Sequence, residues 1–106
     1  MDIQLKRGIL DVCVLAAINN EDSYGYQIIK DLKPCVSLSE STLYTILKRL
    51  EVSGMLTVRT AEHGGRLRKY YSITSAGRHR IVEFREEWAQ VMRMVEFVTK
   101  EGVKGE

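Results

Sequence analysis

The densest chemistry in the sequence is cationic. Lys48 and Arg49 sit side by side, and Arg66, Arg68 and Lys69 crowd in just after Gly64-Gly65. Like charges packed beside a flexible tip, with no acid close by in sequence, repel one another unless an anion relieves them. Phosphate is such an anion, and duplex DNA presents one charge per roughly 1.7 Å of axis. Any one of these cations can instead be an ordinary solvated side chain, and Arg59 is the one expected to stand apart. A second group is polar and short: Ser39, Ser41, Thr42 and Thr45, with Lys48 behind them, suit a surface that enters a nucleic-acid groove. They also suit any solvent-facing helix. Tyr44 among them has two readings, packing at a helix margin or reaching a phosphate through its hydroxyl.

Chemistry of the enzymatic kind is missing. There is no G-x-G-x-x-G, no phosphate-binding P-loop, no H-E-x-x-H and no plausible Ser/Cys–His–acid set. The two histidines, His63 and His79, are not at ligand spacing from Cys13 or Cys35, and no C-x-x-C occurs. The expectation is a chain that is not an enzyme and uses no metal or cofactor. Cys13 reads as a core residue. Both thiols are expected to be reduced, which points to the cytoplasm. No apolar run approaches the ~18 residues of a membrane span, and the start lacks a basic signal region, so no membrane partner is expected.

These residues need elements to hold them. Ile9, Val12, Cys13, Ala16 and Ala17 recur at helical spacing and predict a helix over Ile3 to Asn19. The polar run Asn19 to Ser23 breaks it. A second helix is predicted over Tyr24 to Leu32, stopped by Pro34. A third starts at Ser39, a good N-cap, followed by Glu40 at the positive helix end. Leu43, Ile46, Leu47 and Leu50 face inward, leaving Ser41, Thr42, Thr45, Lys48 and Arg49 outside, and Gly54 closes the helix. Beyond Gly54 the period falls to two. Met55–Thr60 and Leu67–Ile73 read as strands, joined by a turn over Ala61–Arg66. Thr74 or Ser75 caps a last helix to about Thr99, and the tail from Glu101 to Glu106 is expected to fray. The fold class is mainly α with a small β-hairpin. The order is that of a winged helix-turn-helix, residues 1–74, followed by a long C-terminal dimerisation helix and tail, residues 75–106.

The chain has 106 residues, ordinary composition (44% hydrophobic, 28% charged) and a net charge of +2. That near-neutrality hides a division. Residues 1–23 carry 2 basic and 4 acidic side chains, residues 24–74 carry 8 and 4, and residues 75–106 carry 6 and 6. The basic excess therefore lies in the part expected to meet DNA. The last helix carries a different signal. Ile81, Phe84, Trp88, Val91, Val95 and Val98 are spaced 3, 4, 3, 4, 3, an a/d stripe. A helix of about 25 residues is about 37 Å long, more than three short helices cover. Burying the stripe would contribute about 9–18 kcal/mol gross. A two-fold homodimer is the expectation, against a monomer whose helix folds back.

Tyr24-Gly25-Tyr26-Gln27-Ile28-Ile29, Thr42-Leu43-Tyr44 followed by Arg49-Leu50-Glu51, and Gly64-Gly65-Arg66 followed by Arg68-Lys69-Tyr70-Tyr71 and Ile73-Thr74-Ser75-Ala76-Gly77 together resemble the PadR family of bacterial transcriptional regulators, with Lys6-Arg7-Gly8 at the start. The resemblance runs over about residues 6–98. The common family form has proline after Thr-Leu-Tyr; Thr45 stands there here, as in a multidrug-binding lactococcal PadR-type repressor. The short C-terminus is similar to the subfamily with a single dimerisation helix, to which that repressor belongs. The resemblance implies a dimeric repressor that binds double-stranded DNA at a pseudo-palindrome. It also implies an effector site at the dimer seam. Trp88 falls where that repressor's stacking tryptophan lies, with Phe84 and Met92 beside it, and the ligands would be planar aromatic or cationic drug-like molecules. Packing of the seam is the other reading of Trp88. The competing functions are a winged-helix protein-interaction module and a constitutive DNA binder without ligand sensing.

Overall fold

The computed structural model describes residues 1–104. It contains α1 (Ile3–Ala17), α2 (Gly25–Leu32), α3 (Glu40–Val52), β1 (Leu56–His63), β2 (Arg66–Ile73) and α4 (Ser75–Lys104). Local signals set most of the boundaries. The Asp2 carboxylate accepts from the Gln4 and Leu5 amides and starts α1. The Ser39 hydroxyl accepts from the Thr42 amide and starts α3. Thr74 starts α4, its hydroxyl accepting from the Gly77 amide and donating to the Gly54 carbonyl.

α1 lies against α2, α3 and α4. Its buried residues are Val12, Val14 and Leu15, with Ile18 just past its end. The expected stripe was therefore too narrow and partly on the wrong side: Ala16 is exposed, while Cys13 and Ala17 are half-buried against the core. A helix touching three others is apolar over a wide arc, so no single 3-4 stripe describes it. The core joins Leu15 and Ile18 to Ile28, Leu43, Ile46, Leu47, Leu50, Leu56 and Tyr71. α3 presents the leucine and isoleucine face that its spacing predicts.

The hairpin is tighter than the sequence suggests. β1 and β2 pair antiparallel from Leu56↔Ile73 to His63↔Arg66, so only Gly64 and Gly65 form the turn. Their φ angles, 58° and 81°, are those of a two-residue turn whose twist matches the strands. Ala61, Glu62 and His63, expected in a loop, are strand residues because that turn lets pairing run to the tip. Ser23 adds a short bridge to the outer edge of β2, exchanging backbone hydrogen bonds with Tyr71 at 2.8 and 3.2 Å.

α4 begins in tight contact with the body. A Cβ on Gly77 would come within 2.3 Å of the Met55 carbonyl oxygen and 2.7 Å of Ile73 Cγ1. From there α4 runs on, and the molecule measures 64 × 26 × 22 Å. Its 30 residues make a helix about 45 Å long. The expected stop near Thr99 is wrong: residues 101–104 are helical, with Gly102 inside the helix. The rest of the expected frayed tail, Gly105 and Glu106, lies outside the described residues. No helix of the described residues is long and apolar enough to cross a membrane.

Candidate nucleic-acid interface

α3 sets the centre of the site. Burying Leu43, Ile46, Leu47 and Leu50 turns Ser41, Thr42, Tyr44, Thr45 and Lys48 to the outside. At the N-terminal end the hydroxyls are linked. Ser39 Oγ donates to Thr42 Oγ1 at 2.9 Å and lies 3.3 Å from Ser41 Oγ, and Thr45 Oγ1 donates to the Ser41 carbonyl at 3.0 Å. Ser39 is thus first of all the cap, exposed at the rim of the polar face.

The two cations of α3 are not equivalent. Arg49 turns back to α1 and makes an ion pair with Asp11, both groups partly buried. Lys48 stays in solvent and approaches Glu51 at 3.7 Å, a weak exposed pair. Of the two cations of α3, Arg49 is the one this geometry places in a structural bond.

Tyr44 is half exposed, and its ring lies over the first turn of α2. Its hydroxyl oxygen would be 3.0 Å from a Cβ on Gly25. Packing and access are therefore combined: glycine at position 25 makes room for the ring, and the hydroxyl borders an open groove of about 810 Å³. Tyr24, Tyr26, His63, Arg66, Leu67, Arg68 and Lys69 line that groove with Tyr44. It runs along the outer edge of β2, between the wing and the start of α2.

The wing sorts its cations by strand alternation. Arg68 and Tyr70 share one face. Arg68 Cζ sits 3.9 Å from the Tyr24 ring centre, Tyr24 meets Tyr70 edge-on at 5.9 Å, and Arg59 Cζ lies 4.7 Å from the Tyr70 ring. Arg59 then reaches Asp22 at 3.2 Å. This ladder of alternating cations and rings ties both strands to the α1–α2 connection. Lys69 faces the other way, beside Tyr71, Lys48 and Tyr44, in a smaller groove against α3. Tyr71 is buried, and that burial, with smaller contributions from Tyr44 and Glu51, raises its pKa. Arg66 is exposed at the tip. The structure thus brings Tyr44, Lys48 and Lys69 together, with Arg66 and Arg68 along the larger groove. Sequence reasoning missed Tyr24, Tyr26, His63 and Leu67 as lining residues; the aromatic Tyr24-Gly25-Tyr26 near a basic strand was the available signal.

The ligand residues that the resemblance implies lie elsewhere, on α4. Phe84 and Trp88 are half-buried, their ring centres 5.9 Å apart and tilted by 41°. Met92 is exposed one turn beyond Trp88. Along the predicted seam, Ile81 packs on the core of its own chain and Val91 is half-buried. Val95 and Val98 are open, at 45% and 66% exposure. Arg80 beside this face is held by Glu83 and Glu87 at 2.9 and 2.7 Å, and the bond to Glu87 raises its pKa. Cys13 and Cys35 are free thiols, and burial pushes the Cys13 thiol up.

Comparison with known proteins agrees with this arrangement. The profile of the transcriptional regulator PadR-like family matches residues 14–83, from the last turn of α1 to the first turns of α4. A crystal structure of smu.1704 from Streptococcus mutans is 42% identical, covers 91% of this chain and 90% of its own, and superposes with a TM-score of 0.76. A PadR-like transcription factor from Bacteroides fragilis is 30% identical, with 90% and 94% coverage and a TM-score of 0.80. An uncharacterised protein of Lysinibacillus sphaericus is 34% identical over 96 residues, 85% of this chain and 87% of that one. The polar face of α3, the glycine-tipped wing and the long last helix are the features of a DNA-binding regulator, and the chain belongs to the PadR-like family of transcriptional regulators.

Proposed function

We propose that the protein is a cytoplasmic repressor that acts as a homodimer on a pseudo-palindromic operator. Residues 1–74 form the DNA-reading unit, and residues 75–106 form the dimerisation helix. The carrying observation is the outward face of α3: Ser41, Thr42, Tyr44, Thr45 and Lys48 are exposed together, with Lys69 and Arg66 of the wing alongside. In this reading Ser41, Thr42 and Thr45 meet base edges, while Tyr44, Lys48, Arg66 and Lys69 meet phosphates. Ser39 holds the helix start, and Arg49 and Arg68 support the surface from behind.

The dimer rests on the far half of α4. Met92, Met94, Val95, Phe97 and Val98 are all exposed in a single chain, an amount of open apolar surface that favours a partner. Two recognition helices roughly 34–36 Å apart would then fit successive turns of one DNA face. Phe84 and Trp88, inside the start of this seam, offer aromatic faces to a planar or cationic effector, with Met92 adaptable beside them. An effector there would shift the spacing of the two α3 helices and so couple to DNA affinity.

A gel-shift assay with duplex fragments from the protein's own upstream region tests the first part. Retention of one fragment against excess unrelated duplex is expected. Equal retention of all fragments would leave a binder without an operator and refute this reading. Titration with planar cationic dyes, followed by the fluorescence of Trp88, tests the second part. Quenching at micromolar dye is expected, and its absence removes the effector site.

A further inference from the structure

We infer that Lys6 and Arg7 on α1 form a second phosphate-binding margin, on the flank of α3 opposite the wing. The inference rests on the DNA-binding reading of α3 and extends its footprint. A shallow groove of about 250 Å³ is lined by Ile3, Lys6, Arg7 and Leu10 of α1 and by Thr42, Thr45, Ile46 and Arg49 of α3. At about 100° of rotation per residue, these α3 positions lie on one flank of the helix. Tyr44, Leu47, Lys48 and Glu51, which face Lys69, lie on the other. The exposed strip of Ser41, Thr45 and Lys48 runs between the two. A duplex seated on that strip is met by Lys69 on one side and by Lys6 and Arg7 on the other.

Charge pairing supports this. On a helix, the acids expected to neutralise Lys6 and Arg7 are Asp2 and Asp11, each four residues before or after. Both are committed elsewhere. Asp2 caps α1, accepting from the Gln4 and Leu5 amides. Asp11 holds Arg49 of α3. Lys6 and Arg7 are exposed, and no salt bridge is formed by either among the described residues. The segment 1–23 is acidic by count, yet the surface it turns to α3 is basic. Arg49 takes part indirectly, because its bond to Asp11 removes the negative charge that would otherwise quench Arg7.

The test uses the full-length protein and a duplex of about 40 base pairs chosen by the wild-type chain from a random pool. The dependence of log K on log salt is compared for wild type, Lys6→Ala/Arg7→Ala, the charge-conserving Lys6→Arg/Arg7→Lys, and Lys69→Ala. Each phosphate contact contributes about 0.9 to the slope, and the proposed dimer carries both residues twice, so the double alanine variant is expected to flatten it by roughly 3.6. The charge-conserving variant keeps the wild-type slope, and all variants keep the wild-type helix content by circular dichroism. A double alanine variant with the wild-type slope overturns this inference while leaving the α3 reading intact. A charge-conserving variant that loses slope as the alanine variant does also overturns it, since charge would then not be the cause. A wild-type chain that selects no duplex overturns the DNA-binding reading and this inference together.

Discussion

The wing and the distal half of α4 are both exposed and both rich in one kind of side chain, yet their exposure means different things. On the wing, Arg59 and Arg68 have partners within the chain, Asp22, Tyr70 and Tyr24. The distal α4 residues Val95, Phe97 and Val98 point into solvent at 45% to 66% exposure. The wing is a surface already organised by its own fold. The α4 surface leaves large apolar side chains in solvent. In the proposed function, the cations that remain open on the first surface and the apolar groups left open on the second are the ones that make external contacts.

The comparison breaks most visibly at α4. Val95→Glu with Val98→Glu places two charges in the proposed seam, where an unpaired charge is costly to bury. Sedimentation equilibrium is expected to show a monomer at concentrations where the wild type is a dimer, with the dimer Kd raised at least about a hundredfold. Because both positions are exposed in the single chain, the monomer should keep its thermal unfolding transition. A variant that stays dimeric would place the seam elsewhere.

Next in size is the joint between the two regions. Gly77→Ala pushes a methyl group against the Met55 carbonyl and Ile73, at 2.3 and 2.7 Å. Such overpacking against backbone costs about 1–3 kcal/mol, with the upper end expected here. Urea unfolding should show a lower midpoint with an unchanged slope. No change in midpoint would mean that α4 pivots freely on the body, and the coupling of α4 to α3 would lose its rigid link.

A smaller effect separates Arg49 from the other cations. Arg49→Ala leaves Asp11 partly buried without its partner. The pair is only partly shielded from water, so a loss of about 1 kcal/mol is expected. Asp11→Ala should destabilise similarly, and the double variant by less than the sum. Full additivity in this cycle would show that the two do not interact.

How far these features could be read in the sequence follows from their range. The Ser39 cap, the inward face of α3 and the heptad spacing of α4 depend on neighbours within one or two turns, and spacing alone shows them. The Arg49–Asp11 pair joins residues 38 apart, and the Arg59–Asp22 pair residues 37 apart. Periodicity carries no information about such meetings, so neither the partner of Arg49 nor that of Arg59 is visible in the sequence pattern. The extension of α4 was hidden for another reason. Gly102 is a poor helix residue, costing about 1 kcal/mol, but one such residue in a 30-residue helix does not end it. In the hairpin the two adjacent glycines permit the shortest turn and so lengthen the strands beyond what their alternation predicts.

The smallest expected effect bears most directly on the wing. Arg68 and Lys69 are adjacent in sequence and equal in charge, so composition cannot tell them apart. The structure stacks Arg68 on Tyr24 and leaves Lys69 exposed next to Lys48 and Tyr44. If this difference governs DNA binding, Lys69→Ala lowers the salt slope of the proposed dimer by about 2, because one phosphate contact is lost from each protomer. Arg68→Ala lowers affinity without changing that slope, since its guanidinium acts by holding the wing. Tyr24→Leu should reproduce the Arg68→Ala effect, a cation–π contact at such a site contributing about 0.5–1 kcal/mol. The same Tyr24→Leu change in an Arg68→Ala background should then cost less than in the wild type, because the Arg68 stack is already gone and only the edge contact of Tyr24 with Tyr70 is left to lose. A slope that falls equally for Arg68→Ala and Lys69→Ala would make both residues phosphate ligands. The tyrosine ladder would then be a consequence of packing, with no part in setting the angle of the wing.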